Sequence, residues 1–333
     1  IEELLSRCQM RLALSLPQSI SVVKSETPQS VSTVDAVQIS DSLNIKTFVK
    51  AAEEVIRDEC RQALETKATE VHEDFLRRLV RRGPRRPRVN LFTTNYDLCF
   101  ETAAARTGMP VIDGFAFSVP PRFNPEIFDY DIVTNSSYSK EPDFVPRLLR
   151  LFKLHGSVDW HMQDAAVIKK GDTDSPVLIY PRAGKYAASY SQPFLEVISR
   201  LQGFLRQRNL GILSVCCGFN DLHIAEPVLS AVKSNASMRM VVCAPDLCDK
   251  DARDLYGDSH VEGATKTNPA LRQLDYLIDN GDSRITLING FFPDLARLMP
   301  TVAAQTDAEQ HEARIKKLEE DMAKVKSNSG AGL

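Results

Sequence analysis

The sequence is poor in glycine. It has 15 glycines in 333 residues, whereas an average usage of about 7% would give about 23. A chain that is full of glycine-rich, phosphate-cradling loops is therefore disfavoured. The first residue is Ile1 and not an initiator methionine, so we expect the chain to begin inside a longer protein.

Paired cysteines and long apolar runs are also lacking. Seven cysteines occur, but no two form a C-x-x-C pair and several lie in apolar stretches, which favours reduced, buried thiols over a structural zinc site. No stretch approaches 18 consecutive apolar residues, which excludes a transmembrane helix. The amino end lacks the apolar core of a secretory signal. These absences predict a cytoplasmic protein that does not enter a membrane.

Charge of neither sign dominates. The 41 basic and 44 acidic side chains leave a formal net charge of -3, so any surface for an anionic partner must be local. Residues 77–88 hold seven arginines, interrupted by Gly83, Pro84 and Pro87. Two interpretations remain open for this run: a solvated helix end with its loop, or a patch for an acidic partner or nucleic acid.

Apolar strand-like runs alternate with amphipathic segments along most of the chain. The runs are rich in Val, Ile and Leu and show little alternation, which is typical of parallel strands buried on both faces. The predicted fold class is therefore α/β, with a Rossmann-like, mostly parallel sheet and helices on both faces. The predicted strands are 89–94, 149–154, 210–217, 238–243 and 285–288, and the predicted helices are 98–106, 194–208, 224–235, 268–279 and one from about 293.

The remaining segments define the expected domain organisation. Residues 1–88 form a helical segment and insertion near the amino terminus that belongs to the same domain as the core at 89–300. Residues 301–333 form a charged helix at 307–326 and a flexible tail. Residues 113–146 are expected to be a long loop, and residues 160–186 are polar and rich in turns.

Polar residues follow the carboxyl ends of three predicted strands, which is the edge where open α/β sheets bind ligands. Asn95 and Asp97 follow the first of these strands, and the alternative for them is a turn and a helix cap. His155 follows the second, where it is suited to proton transfer or is a structural histidine. Residues 218–221 form a turn before a helix, which presents backbone amides to an anion. His223 is a secondary candidate, and His161 is weaker.

Together these motifs resemble a known family. The segments Thr94-Asn95-Tyr96-Asp97, Lys153-Leu154-His155-Gly156-Ser157 and Gly218-Phe219-Asn220-Asp221 are similar to the sirtuin-like NAD-hydrolysing domain of prokaryotic antiphage defence proteins. Residues 92–98, Ile179-Tyr180-Pro181 with Lys185-Tyr186, and residues 218–223 resemble more closely the sirtuin-like subunit that assembles with a HerA-type hexameric ATPase. The resemblance spans about residues 89–245.

The resemblance implies a set of site residues. Asn95 and His155 match the catalytic pair, and Asp97 matches the carboxylate that lines the nicotinamide pocket. Gly218 and Asn220 match the turn that contacts the nucleotide. The full set of residues expected to bind NAD+ is Thr94, Tyr96, Gly156, Gly218, Phe219, Asn220, Asp221 and His223, and no metal is expected.

Two departures from the family bear on the chemistry. The four-cysteine zinc module of deacetylating sirtuins is absent, which argues against protein deacetylation. The family's Gly-Ala-Gly strand and turn, which holds the pyrophosphate, is also not found, and we expect it to precede Ile1. With that segment upstream, the low glycine count becomes a consequence of where the sequence starts.

The resemblance implies an activity and an assembly. The activity is NAD+ hydrolysis at the nicotinamide–ribose bond, which gives nicotinamide and ADP-ribose. In the implied mechanism His155 orients or deprotonates a ribose hydroxyl, and Asn95 positions the nicotinamide amide or the attacking water. The implied partners are a HerA-type ATPase and further copies of the chain in a high-order homo-oligomer. Contact with DNA, directly or through the complex, is a separate expectation that only the arginine run 77–88 supports. The alternative is a scaffold subunit that senses NAD or ADP-ribose.

Overall fold

The computed structural model describes most of the chain between residues 69 and 299. The described residues are 47, 50, 51, 53–61, 69–80, 87–134, 143–145, 147–171, 173–180, 192–245, 247, 268–299, 314 and 315. Residues 53–61 are helical, as expected for the amino-terminal segment. Residues 81–86 of the arginine run, nearly all of the predicted charged helix and the whole tail lie outside the described residues, so those predictions are untested.

Two three-stranded parallel sheets form the centre of the structure. In the first, β1 (Val89–Thr93) and the short β2 (Val111–Ile112) flank β5 (Leu149–Lys153). In the second, β9 (Gly211–Val215) and β11 (Ile285–Asn289) flank β10 (Arg239–Ala244). All five predicted strands are present, with ends that differ from the prediction by no more than two residues.

Helices connect and cover these strands. They are α1 (Glu70–Leu79), α2 (Cys99–Arg106), α3 (Phe194–Leu205), α4 (Leu222–Ser234), α5 (Pro269–Asp279) and α6 (Phe292–Leu298), with a 3-10 helix at Pro125–Asp129. Local sequence explains several of their boundaries. Asn268, for example, accepts hydrogen bonds from the amides of Ala270 and Leu271 and so caps α5, with Pro269 in the first helical position, where its missing N–H costs nothing.

Both faces of the first sheet are buried. On one face, Val89 and Leu149 pack with Phe75 of α1 and with the alanines of α2. On the other face, Phe152 stacks on Phe92 and Phe128 with ring centroids 4.5 and 4.4 Å apart. Phe152 and Phe128 belong to a hydrophobic cluster that also contains residues of α3, α4, β10 and α5, and this cluster joins the two parallel sheets. The predicted α/β, Rossmann-like class with helices on both faces is confirmed.

The segment predicted as polar and turn-rich, residues 160–186, contains two strands and the end of a third. The third strand, β6 (Gly156–Gln163), pairs antiparallel with β7 (Ala166–Lys169) and β8 (Pro176–Leu178). The prediction missed these strands because β6 places polar side chains such as Ser157 and Asp159 in the interior beside Val158 and Trp160, so it shows no apolar alternation. The loop predicted at 113–146 likewise contains a short antiparallel pair, β3 (Val133–Thr134) and β4 (Asp143–Phe144).

Several turns use left-handed backbone without glycine. Within the described part of the chain, positive φ angles occur at Arg147, Asp164, Ala165, Asn209, Cys216 and Phe219. Asp164 and Ala165, at 49° and 60°, are the two residues between β6 and β7 and form the turn of that hairpin.

None of the described helices combines the length and the apolar character that crossing a membrane requires.

Candidate active site

The carboxyl ends of β1 and β5 lie side by side. Thr93 is opposite Lys153 in the parallel register, and the amide of Leu154 donates to the carbonyl of Thr93 over 2.8 Å. Beyond this point the amide of Val158 donates to the carbonyl of Tyr96 over 3.0 Å. The segments that follow the two strands are therefore neighbours at the ligand-binding edge of the sheet, as the strand pattern predicted.

The backbone of His155 is fixed at this edge by a hydrogen bond and by the conformation of the residue that follows it. Its carbonyl accepts a 2.9 Å hydrogen bond from the amide of Ile179, and its side chain is only 4% exposed. The next residue, Gly156, has a φ of 89°, and a Cβ there would lie 2.1 Å from the carbonyl oxygen of Val177. Only glycine fits this position, which fixes the direction in which the chain presents His155.

The segment 94–97 contains two residues whose side chains are held by hydrogen bonds and one residue that is exposed to solvent. The Tyr96 hydroxyl donates to the carbonyl of Ile179 over 2.6 Å, so Ile179 holds this segment as well as His155. The Asp97 carboxylate accepts from the amide of Cys99 at the start of α2, although the N-cap position of this helix is Leu98 and Asp97 does not cap it. The backbone amide of Asn95 donates to the Thr93 hydroxyl. Asn95 is exposed, so its side-chain amide is accessible to solvent at the strand edge.

A buried lysine ties this segment to the sheet. Lys153 is 4% exposed, and its ammonium contacts the carbonyls of Tyr96 and Asp97, the Ser157 hydroxyl and the Glu101 carboxylate. Burial raises the pKa of Glu101, and the nearby Lys153 charge opposes that rise. The sequence motif contained Lys153 without giving it a role, and the structure shows that Lys153 pairs with the partly buried Glu101 carboxylate and braces the turn.

Burial also controls the neighbouring titratable groups. It raises the pKa of the Cys99 thiol to about 12, with a further contribution from the Asp97 charge. It likewise raises the pKa of the Tyr180 hydroxyl to about 12, helped by Glu53. Both groups are therefore neutral near pH 7, and neither supplies a thiolate or phenolate nucleophile to the site.

The third strand-end motif forms a tight turn before α4. Phe219 is buried with a φ of 52°, and Gly218 and Asn220 are exposed. The Asn268 side chain donates to the Gly218 carbonyl and to Asn220 Oδ1, at 2.8 and 2.9 Å, so the cap of α5 also positions this turn. Because α4 begins here without a side-chain cap, the first turn of this helix has backbone amides that can bind an anion.

The two halves of the site meet at a histidine pair. His155 Nε2 and His223 Nε2 are 2.9 Å apart, and both side chains are buried, at 4% and 8% exposure. Asp221 lies beside them, half-buried, and ligand atoms of the three residues all fall within 4.8 Å of one another. One imidazole must be neutral to accept the proton that the other donates, so the pair is built to share a proton.

The structure thus brings His155, Asp221 and His223 into direct proximity and places Asn95, Tyr96 and Asp97 on the adjacent strand end. Thr94 and Gly156 lie within these two strand-end segments, and Gly218, Phe219 and Asn220 form the turn opposite them. Their roles toward NAD+ remain predictions. Of the motif at residues 179–186, Pro181, Lys185 and Tyr186 lie outside the described residues.

Three features of the site were missed from the sequence. Asn268 is far along the chain, and only its cap pattern before a proline was visible. Ile179 is part of a sequence motif, but it is the backbone amide and carbonyl of Ile179 that hold His155 and Tyr96. The cluster of His155, Asp221 and His223 has the composition of a metal site, although no metal was expected; its histidines are 68 residues apart, so no ligand spacing reveals it.

Comparison with known proteins gives one family. No curated protein sequence matches the chain. The model of the SIR2-like domain matches residues 89–262, more than half of the 333, and this range contains all three strand-end motifs and the histidine pair. The chain therefore belongs to the SIR2-like domain family, whose members use NAD+.

Proposed function

We propose that the protein is an NAD+ hydrolase that releases nicotinamide and ADP-ribose. The observation that carries the proposal is the buried His155–His223 contact at the carboxyl edge of the parallel strands, beside the exposed Asn95. A proton acceptor with a second proton carrier behind it suits a reaction in which water must lose a proton. Family membership supplies the substrate class.

The residues present fit NAD+ as substrate. The turn at 218–221 and the positive end of α4 suit an anionic part of the nucleotide, because backbone amides and the helix dipole favour anions. Asn95 can hydrogen-bond the nicotinamide carboxamide through both its donor and its acceptor. Asp97 braces this segment by accepting a hydrogen bond from the Cys99 amide, and the family resemblance assigns its carboxylate to the nicotinamide pocket.

The proposed reaction breaks the bond between ribose C1′ and the nicotinamide nitrogen. The bonding electron pair leaves with nicotinamide, and water forms the new C1′–O bond. His155 accepts the proton that the water or a ribose hydroxyl loses, and His223 shares the resulting charge. Asn95 orients the leaving group or the water, which is the kind of positioning that separates slow from fast hydrolysis.

The test is NAD+ loss by the full chain, with nicotinamide and ADP-ribose measured directly. Asn95→Ala should reduce turnover at least about 100-fold, the scale of a lost positioning or acid–base group, and because Asn95 is exposed the variant should fold normally. His155→Ala should do the same, with thermal unfolding as a check on its fold. His161→Ala is the matched control, because His161 of β6 contacts the Thr173 hydroxyl at 2.8 Å and not the histidine pair, so this variant should retain activity.

Full turnover by Asn95→Ala and by folded His155→Ala would refute the assignment. Titration calorimetry with NAD+ and ADP-ribose tests the alternative function, a scaffold that binds these ligands without turnover. Binding without any turnover by the unmodified chain would favour the sensing scaffold over the hydrolase.

We also propose that the protein acts with a HerA-type ATPase, as a high-order homo-oligomer, in antiphage defence. The support is the motif resemblance alone, and deacetylation is disfavoured because the sequence has no four-cysteine module. Copurification of a coexpressed HerA-type ATPase and a plaque assay with the Asn95→Ala variant test the two parts. Loss of protection in a variant that still copurifies would show that defence depends on catalysis.

A further inference from the structure

The cluster of His155, His223 and Asp221 has the composition of a transition-metal site. Two imidazoles and one carboxylate, with a position left open, are a ligand set that Zn2+ accepts in proteins. The three ligand atoms lie within 4.8 Å of one another. Ligands at Zn–N and Zn–O distances of about 2.0–2.2 Å in a tetrahedron are about 3.3–3.5 Å apart, so shifts of up to about an ångström would bring these atoms onto one ion.

The histidine contact is close to this geometry already. The two Nε2 atoms are 2.9 Å apart, slightly nearer than two nitrogens on one zinc ion. One of them must carry the shared proton when no metal is bound. For both rings to bind a metal, the donor ring must give up this Nε2 proton, to its own Nδ1 if the ring is neutral or to solvent if it is charged, so that two neutral imidazoles become ligands.

The surroundings favour a cation here in one respect and oppose it in another. Asp221 and His223 lie at the start of α4, where the helix dipole disfavours a positive ion. The carboxylate of Asp221 supplies the compensating negative charge within the cluster. Asp221 is only half-buried, and its neighbours Asn220 and Leu222 are exposed, so an ion can enter from solvent and keep one water ligand.

We propose that His155, His223 and Asp221 bind one Zn2+ ion and that its occupation blocks NAD+ hydrolysis. The blocking part rests on the proposed function, because it requires His155 to be the proton acceptor. The ion would occupy the lone pair that His155 needs for this role. The site is therefore inhibitory, and metal binding and catalysis exclude each other at the same imidazole.

The test is calorimetric titration of Zn2+ into the full chain, after treatment with a chelator and in the presence of a thiol-free reductant. One site is expected, and His155→Ala, His223→Ala and Asp221→Asn should each weaken it at least about tenfold. Asp221→Asn replaces a partly exposed side chain with one of the same shape, so it should fold even if a histidine variant does not. His161→Ala is the matched control and should leave the affinity unchanged.

Co2+ in place of Zn2+ identifies the ligands independently. Visible bands of a tetrahedral nitrogen and oxygen site that disappear in His223→Ala support the proposal. A thiolate charge-transfer band that persists in the histidine variants would place the metal on cysteines and overturn it, as would an unchanged Zn2+ affinity in those variants.

Activity then tests the blocking part. If the chain hydrolyses NAD+, free Zn2+ at its measured dissociation constant should halve the rate, saturating Zn2+ should stop the reaction, and chelation should restore it. Binding without inhibition would overturn the inhibitory role. If no hydrolysis is found at all, the titrations still decide the metal site, so failure of the proposed function and failure of this inference are distinguishable.

Discussion

Lys153 is the buried charge on which the strand-end segment depends. Its ammonium contacts two backbone carbonyls, a hydroxyl and the Glu101 carboxylate. The ion pair joins side chains that are 4% and 19% exposed. Removing one partner of such a pair leaves the other charge in the interior without compensation, which costs more than the pair itself contributes.

Lys153→Met should therefore lower the free energy of unfolding by about 3–5 kcal/mol. Urea denaturation measures this. The double variant Lys153→Met with Glu101→Gln should recover part of the loss, because it removes the uncompensated carboxylate. Equal losses in the single and double variants would show that the carbonyl contacts, and not the ion pair, carry the effect.

His72 gives the protein an acid sensitivity that can be removed. Burial lowers the pKa of His72, which packs against Phe100 and Phe292 with ring centroids 5.1 and 5.0 Å away. The folded state therefore binds this proton less readily than the unfolded state. Stability is unaffected by His72 above the unfolded pKa of about 6.5 and decreases as the pH falls below it.

His72→Leu should flatten this dependence. The unfolding midpoint in urea should fall less between pH 7.5 and pH 5 in the variant than in the unmodified chain. His161→Leu serves as the control, because the contact of His161 with Thr173 lies in a different part of the structure. Parallel pH profiles for His72→Leu and the unmodified chain would contradict the assignment.

At the scale of the element, the connection between β5 and β6 depends on one glycine. Gly156 combines a positive φ with a Cβ position 2.1 Å from the Val177 carbonyl oxygen of β8. A side chain at this position must separate β6 from β8 or rotate the backbone that presents His155. Either change affects the site as well as the sheet.

Gly156→Ala should destabilise the fold by several kcal/mol, since it adds a severe clash to the left-handed penalty of about 1–2 kcal/mol. Gly203→Ala is the matched control. Gly203 lies within α3 and has no atom within 4 Å of its Cβ position, so alanine there should raise stability by about 0.5–1 kcal/mol. Thermal unfolding of both variants checks the contrast, and similar behaviour of the two would exclude the steric explanation.

The elements also show what the sequence could and could not predict. Strand β10 is apolar from Met240 to Ala244, and β5 is apolar apart from Arg150 and Lys153; the parallel pairing of such strands follows from their alternation with helices. In β6, by contrast, Ser157 is held by Lys153, and the Asp159 carbonyl accepts from the amide of Lys170. Because Ser157 and Asp159 are buried beside the apolar Val158 and Trp160, the sequence shows no alternation of apolar and polar residues, so β6 was not predicted.

Some features of the candidate site could likewise be predicted from the sequence, and others could not. The strand-end positions of Asn95 and His155 followed from pattern, because the ends of parallel strands share one edge. The contact between His155 and His223 did not, since it depends on how the two parallel sheets are packed by their common core. The role of Ile179 could not be predicted for a further reason: its hydrogen bonds come from its backbone, and any residue with a backbone amide could make them.

At the scale of the molecule, one apolar cluster holds the two parallel sheets together. It includes Phe152 of β5 and Val242 of β10. A smaller cluster around Trp160 lies in the antiparallel sheet, and Phe123 packs against both clusters. The two regions should therefore unfold together, although they are formed by different sheets.

Phe152→Ala tests this cooperativity. Loss of the ring from its two stacking contacts should cost about 3–5 kcal/mol. Trp160 is the single tryptophan, so its fluorescence reports the antiparallel sheet while circular dichroism reports the helices. Both transitions should move by the same amount, and a fluorescence transition that stays in place would show that the clusters unfold independently.

The scarcity of glycine has an engineering consequence. The hairpin between β6 and β7 turns through Asp164 and Ala165, both with positive φ, and two-residue turns of this kind prefer Asp-Gly. Ala165 is exposed, so its methyl group adds backbone strain without packing. Ala165→Gly should raise the thermal midpoint, equivalent to a gain of up to about 1 kcal/mol. An ordinary stabilisation screen that favours larger or more rigid residues would overlook this change, since here the improved protein has one carbon atom fewer.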